Sequence, residues 1–249
     1  MIYGLYHSAA GMMTNEYRQN VIANNLANAD TVGFKQQIPV FAEREPESVA
    51  GPQRGPSAPD LAGLSGGLWL GRTQTDFRSG PLLQTDNPLD VALDGAGFFV
   101  VEANGRPLYT RDGRLIRDAD GQLRSANDGA PILGVGGAPL LVNPLGGPVS
   151  ITEEGRVVQD GALVGQLAVV DFADRRVLRH AGGSRFDAGG AEPIAALALV
   201  LDRHVENSGV VPVKELVGMI DSSRAYQMNA QMLSLQDQTI GRLISVIAR

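Results

Sequence analysis

The first part of the chain repeats apolar, small and amide side chains at the spacing of a helix. The row consists of Tyr3, Tyr6, Ala10, Met13, Tyr17, Asn20, Asn24 and Ala27. Steps of three and four residues predict a helix with a seam like that of a coiled coil. Asn20, Asn24, Asn25 and Asn28 crowd its end, and an asparagine on a seam specifies register at some cost in stability. Gly33 follows, at a position typical of a left-handed helix stop.

The last part of the chain carries a second row with seven-residue spacing. Its members are Met219, Tyr226, Leu233, Ile240 and Ile247, flanked by Leu216, Ala230 and Ile244. Ser223 and Asp237 interrupt the flanking row, so the predicted seam is imperfect. The spacing predicts a second long helix. It fits pairing of the two helices within one chain and pairing between chains equally well, because both kinds of seam have the same pattern.

Between these helices the pattern changes twice. Residues 36–79 contain Pro46, Pro52, Pro56 and Pro59 with little periodicity, which is typical of an extended linker. From residue 80, short alternating runs and Asp-Gly pairs at 94–95, 112–113, 120–121, 128–129 and 160–161 predict strands joined by tight turns. The predicted fold is α+β, with an antiparallel β domain (80–209) inserted between an N-terminal helix (1–35) and a C-terminal helix (210–249) that pair in a coiled-coil-like domain.

Composition narrows the classes of function. Of the 45 glycines and prolines (31 and 14), only six lie in residues 1–35 and 210–249, so the breakers concentrate in the middle. A net charge of −6 lacks the basic footprint of a nucleic-acid-binding protein, and zero cysteines exclude disulfides and thiolate sites. The N-terminus lacks the pattern of a cleavable signal, and the longest apolar run, 194–201, is too short to span a membrane. We therefore expect a cytosolic protein or one exported without a cleaved signal.

The sequence provides only weak evidence for catalytic or metal-binding residues. His7, His180 and His204 are far apart in sequence and fit no metal-ligand spacing. Ser65 lies in a formal nucleophile-elbow pattern, but its surroundings predict a linker instead of a strand and a helix. Glu154 could act as a catalytic acid only opposite a second carboxyl group. We predict no catalytic residue, metal or cofactor, and keep a periplasmic hydrolase that uses Ser65 or Glu154 as the enzymatic alternative.

Several segments resemble the signatures of bacterial flagellar rod and hook proteins. They are residues 8–12, 20–28, 31–35, 80–82, 85–93, 97–99, 109–113, 215–220 and 224–226. The compact length and short middle are closest to the proximal-rod member of that family, followed by the distal-rod member. The chain departs from the family pattern at 205–210 and 223–227, which affects the choice between these members.

The resemblance implies a non-enzymatic subunit of the flagellar basal-body rod, a periplasmic drive shaft that transmits torque for motility. The implied partners are copies of itself, other rod and hook proteins and the flagellar type III export apparatus, with export that needs no cleaved signal. The terminal helices are then expected to form the assembly interface. Its candidate residues are Tyr6, Ala10, Met13, Tyr17, Asn20, Asn24, Asn25, Asn28, Gly33, Phe34, Leu216, Met219, Tyr226, Leu233, Ile240 and Ile247.

Three further expectations concern assembly. The weak seams predict helices that order fully only in the filament, so that proteolysis of the monomer would spare roughly residues 75–205. The four asparagines form either an intersubunit hydrogen-bond ladder or an exposed, helix-weakening group. A soluble adaptor that binds partner helices through the seven-residue rows is the remaining alternative to a rod subunit.

Overall fold

The computed structural model describes residues 2–43 and 67–247, with side chains described for 4–43 and 67–246. The chain divides into two compact units. The helical unit comprises the described parts of Met1–Ala27, Gln37–Gln74 and Val211–Arg249, and the β unit comprises Asn28–Gln36 and Thr75–Val210. Pro46, Pro52, Pro56 and Pro59 of the predicted linker, and Ser65, lie outside the described residues.

The helical unit contains both long helices. Helix α1 spans Ile2–Ala27 and helix α2 spans Pro212–Ile247. Proline suits the first position of α2 because its missing N–H has no helical partner there, and Glu215 in the first turn is favoured by the helix dipole. The short strands β1 (Gln37–Ile38), β2 (Phe41–Glu43), β3 (Leu68–Leu70) and β4 (Gln74–Thr75) follow α1. Strands β2 and β3 pair antiparallel.

Helices α1 and α2 pack against each other in an antiparallel direction. Asn25 near the end of α1 contacts Glu215 at the start of α2, and Gly11 lies against Asn229 further along. The Ser222 hydroxyl also donates a hydrogen bond of 2.9 Å to the Asn15 carbonyl. The two helices therefore pair within one chain. No helix in the described segments is long and apolar enough to cross a membrane.

The β unit contains the remaining strands. They are β5 (Leu82–Gln84), β6 (Val91–Asp94), β7 (Phe98–Ala103), β8 (Arg106–Thr110), β9 (Leu115–Arg117), β10 (Leu123–Ser125), β11 (Val149–Ile151), β12 (Arg156–Gln159), β13 (Ala162–Gln166), β14 (Val169–Asp171), β15 (Arg179–His180), β16 (Arg185–Asp187), β17 (Ile194–Ala195), β18 (Leu199–Asp202) and β19 (His204–Glu206). The largest sheet has the order β15-β16-β8-β7-β14-β17, and all of its neighbouring strands are antiparallel. The prediction of an α+β chain with a mostly antiparallel region between two helices is confirmed.

Turn chemistry and two apolar clusters hold the β unit together. Asp160 and Gly161 both have positive φ (51° and 77°) and join β12 to β13, as the predicted two-residue hairpin requires. One cluster consists of aliphatic side chains around Val91, Leu123 and Ile132, all fully buried. The other is aromatic: the Phe98 and Phe186 rings lie 5.9 Å apart, and Tyr109 packs edge-on against Phe172 at 4.8 Å.

Candidate assembly site

The predicted residues of the first half of α1 divide between solvent and the protein interior. Tyr6 and Met13, seven residues apart, are 72% and 59% exposed, whereas Ala10 between them is half-buried. Tyr17 is occupied within the helical unit. Its hydroxyl lies 2.6 Å from the Thr73 hydroxyl, and its ring meets Phe41 edge-on at 6.4 Å.

The four asparagines do not share one environment. Asn25 is buried; its Nδ2 donates to the Gln37 carbonyl at 2.9 Å and to Glu215 Oε2 at 3.3 Å, and its Oδ1 accepts the Gln37 N–H at 2.9 Å. Asn28 Oδ1 accepts a hydrogen bond of 3.2 Å from Thr31. Asn20 and Asn24 are exposed. Asn25 therefore makes its hydrogen bonds within the chain, and of the four asparagines it is the one that is too buried to join an intersubunit ladder in this conformation.

On α2, the row of Met219, Tyr226, Leu233 and Ile240 is half-buried throughout. It flanks the positions that contact α1, which are Glu215, Ser222 and Asn229. Leu216 is exposed, and the side chain of Ile247 lies outside the described residues. Most of the seven-residue row therefore lies next to the α1 contact and is partly shielded from solvent.

A second apolar row on α2, which the sequence reasoning missed, is exposed to solvent. We call it the α2 stripe, and its members are Val213, Val217, Ile220, Met228, Met232, Leu235 and Val246. Their spacing places them on one face of the helix, away from the row that contacts α1. The signal was available as steps of three and four residues from Val213 to Ile220 and from Met228 to Leu235. Arg224 and Thr239 interrupt this apolar pattern, so the more regular seven-residue row dominates the sequence of α2.

Gly33 and Phe34 lie inside the β unit. The Gly33 N–H donates to the Glu206 carbonyl at 2.7 Å, and Gly33 has a φ of 70°. A Cβ at this position would lie 2.6 Å from the carbonyl carbon of Arg111, so a side chain does not fit. Phe34 is 1% exposed and its ring meets the His180 ring at 5.7 Å. Both residues hold Asn28–Gln36 to the β unit.

A buried charge cluster lies beside them, composed of Lys35, Arg111 and Glu206, each at most 2% exposed. Glu206 Oε1 accepts from Lys35 Nζ and from the Gly80 N–H, and Oε2 accepts from Arg111 Nη1 at 3.1 Å. Burial lowers the pKa of Lys35 and of Arg111, and attraction to Glu206 opposes that shift in both. One carboxylate thus serves two cations, and Arg111 Nε has no hydrogen-bond partner among the described residues.

The buried charge cluster brings together residues from three separate sequence segments. Lys35 belongs to the 31–35 motif, Arg111 to the 109–113 motif and Glu206 to the segment 205–210 that departs from the family pattern. Three segments distant in sequence therefore converge on one carboxylate. Sequence reasoning did not predict this cluster, because nothing local links a lysine to a glutamate 171 residues away.

The enzymatic candidates are not assembled into a site in the described parts of the chain. Glu154 is exposed and forms an ion pair of 2.9 Å with Arg156. Ser65 lies outside the described residues. His180 is packed between Phe34 and Phe186. Within residues 2–43 and 67–247, no three His, Asp or Glu side chains form a group that could hold a metal ion.

Comparisons with known proteins agree with the placement of these motifs. The family model "Flagella basal body rod protein" matches residues 5–35, "Flagellar hook protein FlgE/F/G D1 domain" matches 92–161, and "Flagellar basal body rod FlgEFG protein C-terminal" matches 202–246. The chain is 33% identical to the flagellar basal-body rod protein FlgG of Buchnera aphidicola subsp. Schizaphis graminum, over 98% of this chain and 99% of that protein. It is 32% identical to the flagellar basal-body rod protein FlgF of Caulobacter vibrioides, over 92% and 91%.

Relatives named FlgG and relatives named FlgF match at similar identity. The comparisons therefore do not decide between the two rod proteins, as the sequence did not. The matched ranges cover α1 with the segment that follows it, much of the β unit, and α2. This chain belongs to the flagellar basal-body rod protein family.

Proposed function

We propose that this chain is a structural subunit of the flagellar basal-body rod and polymerises through its terminal helices. Membership of the rod protein family supports the role, and the two long helices supply the surfaces. The partners are copies of the same chain and other rod and hook proteins. The observation that carries the assembly mechanism is the solvent-exposed α2 stripe.

The α2 stripe is the kind of surface that a monomer does not need. Apolar side chains scattered singly on a surface are ordinary, whereas a row that runs along one helix marks an interaction site. Helix α1 already occupies another face of α2, through Glu215, Ser222 and Asn229. A helix from a neighbouring subunit is the partner that fits, because ridges spaced by three and four residues pack into the grooves of another helix.

Helix α1 offers a smaller surface of the same type. Tyr6 and Met13 are exposed and separated by one heptad, so they lie on a common face. When one face of a subunit contacts a different face of the next and the rotation between subunits does not close a ring, the repeated contacts generate a helical filament. Such a filament is the arrangement proposed here for transmitting torque.

The proposed location is the basal-body rod in the periplasm, reached through the flagellar type III export apparatus without cleavage of a signal. Membership of the rod protein family supports both parts of this proposal. The hydrolase alternative finds no support in the environment of Glu154, which faces solvent beside Arg156. An adaptor that binds helices would use the same α2 stripe but would not become part of the rod.

Site-specific crosslinking tests the proposal, because the chain has no cysteine of its own. Met232→Cys places a thiol on the α2 stripe, and Ala230→Cys places a matched thiol at a half-buried position on the opposite side of the helix. Treatment of basal bodies with a bismaleimide is expected to link neighbouring copies through position 232. Equal or weaker linkage at 232 than at 230 would overturn the assembly mechanism.

A further inference from the structure

Where α1 and α2 meet, two glycines of one helix face two amide side chains of the other. We call these contacts the glycine–amide row, consisting of Gly4 with Gln236 and Gly11 with Asn229. A Cβ at Gly4 would lie 2.8 Å from Gln236 Nε2, and one at Gly11 would lie 2.8 Å from Asn229 Nδ2. Each amide therefore occupies the volume that a side chain on the opposite helix would need.

The glycines have no other evident reason to be in a helix. Glycine is a poor helix former compared with alanine, so a helix that contains it loses stability. By contrast, no atom of the described residues lies within 4 Å of a hypothetical Cβ at Gly241 on α2, so a side chain would fit there. Space for the opposing amide distinguishes Gly4 and Gly11 from that position.

The contacts between the two helices keep one register over their whole overlap. From Gly4 to Gly11 is one heptad, and from Gln236 to Asn229 is one heptad in the opposite direction. Two heptads beyond Gly11, Asn25 meets Glu215 and also binds both backbone groups of Gln37. A Cβ at Gly218 would lie 3.4 Å from Ile22 Cδ1, which fits the same antiparallel alignment.

Other alignments of α1 and α2 lose these contacts. A slip of one heptad in one direction sets Asn229 against Arg18, where no glycine leaves space. A slip in the other direction removes Glu215 from Asn25. We propose that the glycine–amide row, together with the Asn25–Glu215 contact, fixes the register of the α1–α2 pair, as polar positions do in coiled coils.

A fixed register has a consequence for the proposed assembly, although the inference itself does not depend on it. A one-heptad slip moves α2 by about 10.5 Å along α1. The α2 stripe would then move by the same distance relative to Tyr6 and Met13. The axial distance between these two exposed apolar surfaces is therefore defined only while the register is held.

Exchange of one glycine–amide pair tests the inference. Gly11→Asn alone puts two amides in one place, and Asn229→Gly alone leaves a gap. The double variant with both changes restores one glycine and one amide, with the same composition as the parent. Gly241→Ala is the control, since it changes helix propensity without touching α1.

Disulfide formation in the purified full-length chain reports the register. Ile22→Cys with Gly218→Cys reports the observed alignment, and Asn15→Cys with Gly218→Cys reports a one-heptad slip. Gly11→Asn is expected to lower crosslinking of the first pair by about fivefold or to transfer it to the second, and the exchanged variant to recover it. The control should resemble the parent.

Unchanged crosslinking in Gly11→Asn, or failure of the exchanged variant to recover, would overturn the register assignment. Motility of the same variants is measured separately. A subunit that keeps its register but does not enter the rod would contradict the proposed function and leave the register assignment intact.

Discussion

At the scale of single residues, Gly33 joins a helix-terminating segment to the β unit. Its positive φ and its contact with the Arg111 backbone both exclude a side chain. We expect Gly33→Ala to lower the free energy of unfolding of the β unit by about 3 kcal/mol, through strain and steric overlap. Gly105→Ala is the matched control, since Gly105 has a φ of 71° but, within the part of the chain that the structure describes, no atom within 4 Å of its hypothetical Cβ. It should lose only about 1 kcal/mol. Equal losses in urea denaturation would contradict the steric explanation.

Glu206 is the residue on which the buried charge cluster depends. Replacement by Gln leaves Lys35 and Arg111 buried without a counter-charge, and breaking a buried pair in this way removes about 3 kcal/mol or more of stability. Glu154→Gln removes a carboxylate that is paired with Arg156 in solvent, and should have little effect. Denaturant midpoints of both variants check the prediction, and a Glu206→Gln midpoint like that of Glu154→Gln would be evidence against it.

His180 gives the β unit a pH dependence. Burial lowers the pKa of His180 below its usual 6.5, so the folded state favours the neutral ring between Phe34 and Phe186. The stability linked to this residue is therefore complete above about pH 6.5 and is lost as the pH falls below it. We expect His180→Phe to reduce the fall in thermal midpoint between pH 7 and pH 5. The same fall in the variant and the parent would show that other groups cause it.

At the scale of elements, α2 has two distinct surfaces, one toward α1 and one carrying the α2 stripe. Ile220→Glu places a charge within the stripe, whereas Ile220→Leu keeps an apolar side chain at the same position. We expect Ile220→Glu to abolish swimming without unfolding the monomer, because a buried unpaired carboxylate disfavours the helix contact between subunits. Ile220→Leu should swim normally. Normal swimming of both variants in soft agar would remove the stripe from the assembly interface.

The two helices could be predicted from the sequence, but the contacts that their side chains make could not. The spacing of Tyr6, Met13 and the Met219 row predicted both helices, since periodicity is a local property. The same spacing could not say that Asn25 turns inward to Gln37 and Glu215. Seam residues that serve the chain itself and those that serve a neighbour have the same pattern. Only the exposed fractions separate them.

At the scale of the whole molecule, the division into units differs in detail from the predicted boundaries. Asn28–Gln36 groups with the β unit because Phe34 and Lys35 are buried there, although the segment follows α1 directly. The described strands β1 to β3 belong to the unit that contains the helices. Such groupings depend on contacts between segments far apart in sequence, which no local pattern encodes. The disorder of the helices before assembly stays a prediction.

The central claim is that this chain is a built-in part of the rod and not an enzyme or a soluble adaptor. The most direct measurement is to shear flagella, wash the basal bodies in detergent and probe them for this chain. A rod subunit held by many helix contacts remains with the washed basal bodies, and the Ile220→Glu variant is absent from them. Recovery of the wild-type chain only in the soluble fraction, from cells with intact basal bodies, would contradict the claim.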